Sequence, residues 1–251
     1  MAKHEYVWFL WSVAFLIPWI GLYVGYRAER RTMMRTSVST APFGLTEPIF
    51  VPDYWNPPSL FDLAHRTGFD IESVIFSFAI GGVGVILYNA LTGAHHHPVG
   101  ALERHRPLHR HHYLAISAPF LSFPFLYLLP WNPIYAAIAA MAVGGIANIL
   151  CRPDLKAKAW IGAVLFLVYY AAFFVVLVRL WPGYVGHVWN LAALSGIVVA
   201  GIPLEELLFA ASFGLYWAGA YEHFTWTGVA HRRQPNAKSA GVQSARRLKA
   251  R

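Results

Sequence analysis

Gly201-Ile202-Pro203-Leu204-Glu205-Glu206-Leu207-Leu208-Phe209 opens a long apolar stretch whose later landmarks are Gly214 and Tyr221. A second passage, Gly68-Phe69-Asp70-Ile71-Glu72-Ser73-Val74-Ile75-Phe76 with Gly81 and Tyr88, matches it without a gap. Glycine falls on glycine, Glu72 on Glu205, Phe76 on Phe209 and Tyr88 on Tyr221. Four matched landmark types in one register read as an internal duplication. Each passage sets acid ahead of an apolar run, where the positive end of a helix dipole favours negative charge.

Working outward, the whole chain repeats that character. It is 57% hydrophobic and 13% charged over 251 residues, against about a quarter charged in a soluble domain. Apolar stretches lie at 6–26, 72–93, 113–130, 134–150, 159–181 and 190–222, most of them near the roughly 20 residues that cross a bilayer as helix. The last is too long for one ordinary crossing. Pro203 breaks it, so that 188–202 is expected as a half-helix or re-entrant piece and 203–222 as the crossing itself. The fold class is therefore all-α, a polytopic membrane helix bundle of about six to seven spans with internal duplication. The first repeat takes residues 1–112, with an interfacial loop at 37–71 and a His/Arg-rich loop at 94–112; the second takes 113–230; a basic, disordered tail takes 231–251.

The first apolar run carries Trp8, Trp11 and Trp19 and is longer than a signal-peptide core, so it reads as a retained span. The single cysteine, Cys151, excludes an internal disulfide and argues against a thiolate metal site. A net charge of +8 sits in the gaps between spans and in the tail, which points to anionic lipid as partner and away from nucleic acid. Arg232, Arg233, Lys238, Arg246, Arg247, Lys249 and Arg251 place the C-terminus in the cytoplasm of an inner-membrane protein. Six crossings would put the N-terminus there too. Arg27, Arg30, Arg31 and Arg35 would then face outward, unless a further element crosses between 37 and 70.

Glu72, Glu205 and Glu206 have two readings. One is simple capping at the membrane interface. The other is chemical use, because two adjacent acids in an apolar stretch cost about 2.5–3.5 kcal/mol each if they lie deep. Adjacent helical residues point about 100° apart, so Glu205 and Glu206 cannot address one point together. Ser73, Ser77, Gly81 and Gly84 form a small-residue stripe suited to close helix packing.

These residues resemble a known family. Pro203-Leu204-Glu205-Glu206 followed by Leu-Leu-Phe209, at the head of a late span in a duplicated membrane chain, is similar to the Pro-x-Glu-Glu motif of lycopene cyclases of the heterodimeric or fused type. Cys151-Arg152-Pro153-Asp154-Leu155 resembles that family's interhelical loop. The first repeat departs from the motif, with Asp70-Ile71-Glu72-Ser73, and only Glu72 carries over. The resemblance implies an isomerase of carotenoid biosynthesis that closes a ring on lycopene by proton transfer, without redox change and without a cofactor. It implies Glu205, Glu206 and Glu72 as catalytic carboxyls, with Glu205 the primary acid. Phe76, Phe209, Phe213, Tyr216 and Trp217 would bind the substrate, a carotenoid or other long polyene lipid, and stabilise its cation.

Seven histidines at 95–112 (His95, His96, His97, His105, His109, His111 and His112) keep a rival open, a metal-dependent membrane oxygenase. No second dense histidine box follows, so no metal is expected. A third reading is a non-catalytic subunit that binds a carotenoid or quinone. Paired Asp-rich motifs for magnesium pyrophosphate and Gly-x-Gly-x-x-Gly for a dinucleotide are both missing from the sequence.

Overall fold

The computed structural model describes residues 4–231. The basic tail expected from His231 onward lies, beyond that histidine, outside the described residues. Seven principal helices form one bundle: α1 (Val7–Gly25, with a brief irregularity at Phe15), α2 (Arg30–Thr40), α3 (Ile71–Thr92), α4 (His112–Tyr127), α5 (Pro133–Cys151), α6 (Lys156–Leu180) and α7 (Leu204–Thr225). Among the described residues, four segments are long and apolar enough to cross a membrane: α1, α3, α5 and Pro153–Leu180. Helix α4 has only 16 residues, with Pro119 and Pro124 inside it. Helix α7 has the length, at 22 residues, but carries Glu205, Glu206 and Glu222.

The ends of these helices follow local rules. Asp70 caps α3 by accepting from the Ser73 amide at 2.5 Å, and Gly93 in the left-handed conformation ends it. Asn132 caps α5, with Pro133 in the first turn. The all-α expectation needs a small amendment, since two short antiparallel pairs are present. The pair β1 (His95–Pro98) with β4 (Thr227–Ala230) ties the histidine-rich loop to the end of α7, and β2 (Val198–Val199) pairs with β3 (Ile202–Pro203).

That second pair replaces the half-helix expected at 188–202. The chain there makes a 3-10 turn and then a tight hairpin, in which Ala200, Gly201 and Gly196 take positive φ. Positive φ at successive turn residues is incompatible with a continuing helix.

The largest difference from expectation concerns 37–49, read from sequence as part of an interfacial loop. Helix α2 continues into a 3-10 segment, Ala41–Ile49, and the two lie along α3 from end to end. Glu29 meets Asn89 at one end, Thr40 Oγ1 donates to the Ser77 carbonyl at 2.8 Å midway, and Gly44 abuts Ser73 and Val74 at the other. The small-residue stripe is what receives it. A Cβ on Gly81 would fall on the Thr40 side chain, and one on Gly82 would strike Ser37 and the Trp19 indole. A polar helix is tolerated because its hydroxyls are spent inside the protein, with Trp19 Nε1 donating to Ser37 Oγ at 2.9 Å.

This extra length of bundle changes the arrangement of the ends. His4 packs against Tyr184 and His187, near the start of α7, whereas β4 leaves from its other end. The chain's two described ends therefore lie at opposite ends of the bundle, contrary to the expectation from six crossings. Arg27 and Arg30 come to the same end as Lys158 and Arg152, because Glu29, Asn89, His96, Glu222 and Lys158 form one connected cluster.

Gly44→Ala tests this packing. A Cβ there would overlap the Val74 backbone nitrogen, so α3 or the 3-10 segment must move. The expected loss is about 1–3 kcal/mol, read as a lower melting temperature in detergent by tryptophan fluorescence. An unchanged melting temperature would contradict the close approach.

Candidate active site

A cavity of about 450 Å³ lies in the half of the bundle that holds the start of α7. Its walls are aromatic: Trp8 and Trp55 meet edge to face at 4.7 Å, and Phe76, Tyr170, Phe209 and Phe213 form a continuous chain of ring contacts. All five residues expected to bind substrate, Phe76, Phe209, Phe213, Tyr216 and Trp217, line it.

The structure separates the three expected carboxyls. Glu206 faces the cavity; Glu205 and Glu72 do not line it. Glu205 turns the other way, where its Oε1 accepts from the Tyr135 hydroxyl at 2.6 Å and from the Ser195 amide at 2.8 Å. Glu72 does the corresponding thing in the first passage, accepting from the Leu60 amide at 2.6 Å. Each of these two acids thus pins the loop that precedes its own helix. The 100° between neighbouring helical positions is the reason, since only one of Glu205 and Glu206 can face inward.

Glu206 is buried, with 4% of its surface exposed, and is held by three donors. Its Oε1 accepts from Trp189 Nε1 at 2.8 Å and from the Tyr54 hydroxyl, and its Oε2 accepts from the Tyr170 hydroxyl at 2.6 Å. Four separate parts of the chain converge to make this cradle: the loop after Ile49, the middle of α6, the turn after α6, and α7. Burial, and Glu206 beside it, hold the Tyr54 phenol protonated well above the ordinary range.

Glu47, in the 3-10 segment, is a second carboxyl on the cavity wall that sequence reasoning missed. It is 4% exposed, neighbours Asp70 and Ser73, and has no hydrogen-bond partner on either oxygen among the described residues. Its signal was present: an acid inside Ala41-Pro-Phe-Gly-Leu-Thr-Glu47-Pro-Ile-Phe-Val51, an otherwise uncharged run. Reading that run as a surface loop concealed it. Tyr54, Tyr170 and Trp189 had no local signal, since aromatic residues are abundant throughout the chain.

Residues 132–224 match the family model described as lycopene cyclase. This stretch is similar to the lycopene cyclase family. The lycopene cyclase segment begins at the cap of α5 and ends at the last turn of α7, so it contains Glu205, Glu206, Tyr135, Tyr170 and Trp189. Glu47 and Tyr54 lie outside it and complete the site from the first half of the chain. No curated protein and no solved structure matches the chain. A lycopene cyclase domain implies carotenoid cyclisation and therefore a polyene lipid as substrate. The four apolar helices are compatible with the membrane association such a substrate requires.

Proposed function

We propose that this chain closes a ring on the linear ψ end of a carotenoid inside the membrane by proton transfer alone, with Glu206 as the acid. The observation that carries the reading is a cavity walled by aromatic rings whose lining includes two carboxyls, Glu206 and Glu47. A proton added to the terminal alkene leaves a tertiary carbocation. The neighbouring double bond attacks it, forming the carbon–carbon bond of a six-membered ring and moving the charge to a ring carbon. Loss of a proton from the adjacent carbon restores a double bond, so atoms and electrons balance without an oxidant, as in an isomerase.

Hydrogen-bond chemistry favours one oxygen of Glu206 as the proton carrier. Tryptophan only donates, so the oxygen facing Trp189 must accept. The Oε2 atom has only the Tyr170 hydroxyl as partner, and a phenol can turn from donor to acceptor. In the proposed acid form the hydrogen sits on Oε2, with the Tyr170 hydroxyl rotated from donor to acceptor. Aromatic faces stabilise the cation that follows, and the Glu206 carboxylate left by the first transfer takes the last proton back. Glu47, which burial and the neighbouring Asp70 push up to about 9, stands on the wall as a second, protonated carboxyl.

The cavity volume is consistent with one end of the substrate. At roughly 30 Å³ per heavy atom, as for liquid water, 450 Å³ holds on the order of fifteen atoms. The end group and the first part of the polyene fit, while the remainder of a C40 chain passes out to lipid. Phe43 and Phe120, both on the cavity lining, stack at 5.8 Å and are both exposed, and the proposed path of the polyene to lipid passes them.

The matched landmarks support a duplication, since Glu72 and Glu205 anchor their preceding loops alike and α3 and α7 each run antiparallel to the long element before them. In the register that pairs Glu72 with Glu205, α1 falls on α5 and α2 with its 3-10 segment falls on α6, leaving α4 between two three-helix repeats. Arginines and lysines gathered at one end of the bundle support a cytoplasmic face there, which removes the conflict over Arg27, Arg30, Arg31 and Arg35.

Expression in a lycopene-accumulating host, followed by pigment chromatography, tests the function. Cyclised product is expected. Lycopene recovered bound to the purified protein but chemically unchanged would replace this reading with that of a carotenoid-binding subunit.

A further inference from the structure

The geometry points to a metal site at the opposite end of the bundle: His109, His112 and Cys151 form a three-ligand cradle for a borderline transition-metal ion of the zinc type. The three ligand atoms lie within 4.8 Å of one another, and all three residues are buried. Both Nδ1 atoms face the sulfur, His109 at 3.7 Å and His112 at 3.7 Å. With zinc–sulfur bonds near 2.3 Å and zinc–nitrogen bonds of 2.0–2.1 Å in a tetrahedron, sulfur and nitrogen end about 3.6 Å apart. The two observed sulfur–nitrogen separations need almost no adjustment.

Hydrogen bonding alone accounts poorly for this cluster. A thiol has one hydrogen and sulfur is a weak acceptor, so Cys151 cannot satisfy two imidazole nitrogens well. A metal ion binds all three at once, replacing the thiol proton, which leaves to water. The surroundings fit as well. Glu103 Oε1 stands 3.6 Å from His109 Nε2, the position from which a carboxylate orients a metal-bound imidazole. Arg152, next in sequence to the thiol, is engaged by Asp154 at 2.6 and 2.8 Å, so its charge is largely countered. His223 stacks on His112 at 4.2 Å, is fully buried, and has no hydrogen-bond partner among the described residues on either ring nitrogen. A crevice of about 400 Å³ with Cys151 and His111 on its wall provides the way in.

Apart from His96, which is held by Glu222, the histidine-rich loop thereby divides in two. His95, His97, His105 and His111 are exposed, while His109 and His112, one helical turn apart, point into the bundle. Seventeen residues of α7 separate Glu206 from His223, roughly 25 Å at 1.5 Å per residue, so the ion takes no part in ring closure. It clamps the start of α4, the helix interrupted by Pro119 and Pro124, to the end of α5.

Cobalt titration of the chelator-treated, detergent-purified full chain tests the site. One equivalent of cobalt should produce a thiolate-to-cobalt charge-transfer band that zinc displaces. Cys151→Ser should remove the band, and replacing His95, His97, His105 and His111 together by Asn should leave it intact. Absence of the band in the wild type, its persistence in Cys151→Ser, or its loss with the four exposed histidines would each overturn the site. Because Cys151 is the sole cysteine, a second measurement needs no variant. Zinc should slow maleimide labelling of the folded wild-type protein at least tenfold, and labelling unaffected by zinc would count against the proposal.

Discussion

The Glu206→Gln variant is expected to form rings about 10²–10⁴-fold more slowly, the usual contribution of a positioned general acid, while folding normally. Glutamine keeps a carbonyl oxygen for Trp189 and Tyr54, and its amide can donate to the Tyr170 hydroxyl, so the cradle around it survives. What disappears is a transferable proton. Glu205→Gln gives the contrasting result. Its side-chain carbonyl still accepts from Tyr135 and Ser195, and ring formation should stay within about threefold of the wild type, well below the loss of a general acid. Pigment chromatography from matched expression, with protein quantified in the membrane fraction, reads both. If the two variants exchanged places, with Glu205→Gln inactive and Glu206→Gln active, the assignment of the acid would be reversed.

Glu222→Ala should be the most destabilising single change at the other end of the bundle. Lys158 Nζ pairs with Glu222 Oε1, and the two residues are 2% and 0% exposed. The same oxygen meets His96 Nε2 at 2.6 Å, and His96 Nδ1 lies 3.6 Å from Glu29. Removing the carboxylate leaves the ammonium buried without its counter-charge, which costs about 3–5 kcal/mol. Replacing the pair by apolar residues of similar size, Lys158→Met with Glu222→Leu, should recover most of that loss, because the desolvation of both charges is avoided. Melting temperatures in one detergent distinguish the cases. A double variant no more stable than Glu222→Ala would show that the cluster contributes more than this ion pair.

The two halves of the molecule were unequally legible. Helix positions could be read from the apolar runs because a helix must present an apolar surface to lipid or core along its whole length. The aromatic residues around the cavity were also legible, since Phe76, Phe209, Phe213, Tyr216 and Trp217 follow the acids at helical spacing. Helix α2 was not. Its composition is polar, and it enters the bundle only because α3 offers glycines at 81 and 82 and, at Ser77, a carbonyl whose second lone pair accepts from Thr40, features that belong to another segment. Glu47 was overlooked for the same reason, as its burial depends on that packing.

By itself the sequence determined the apolar runs, the acids at the heads of α3 and α7, the matched landmarks and the family resemblance carried by Pro203-Leu204-Glu205-Glu206. All of these are properties of neighbouring residues along the chain. Tertiary structure alone decided that Glu206 and not Glu205 faces the cavity, that Glu47 joins it, and that His109, His112 and Cys151 meet. The physical reason is that a helix repeats every 3.6 residues and so offers every direction in turn. Which direction becomes the interior is chosen by the segments packed against it.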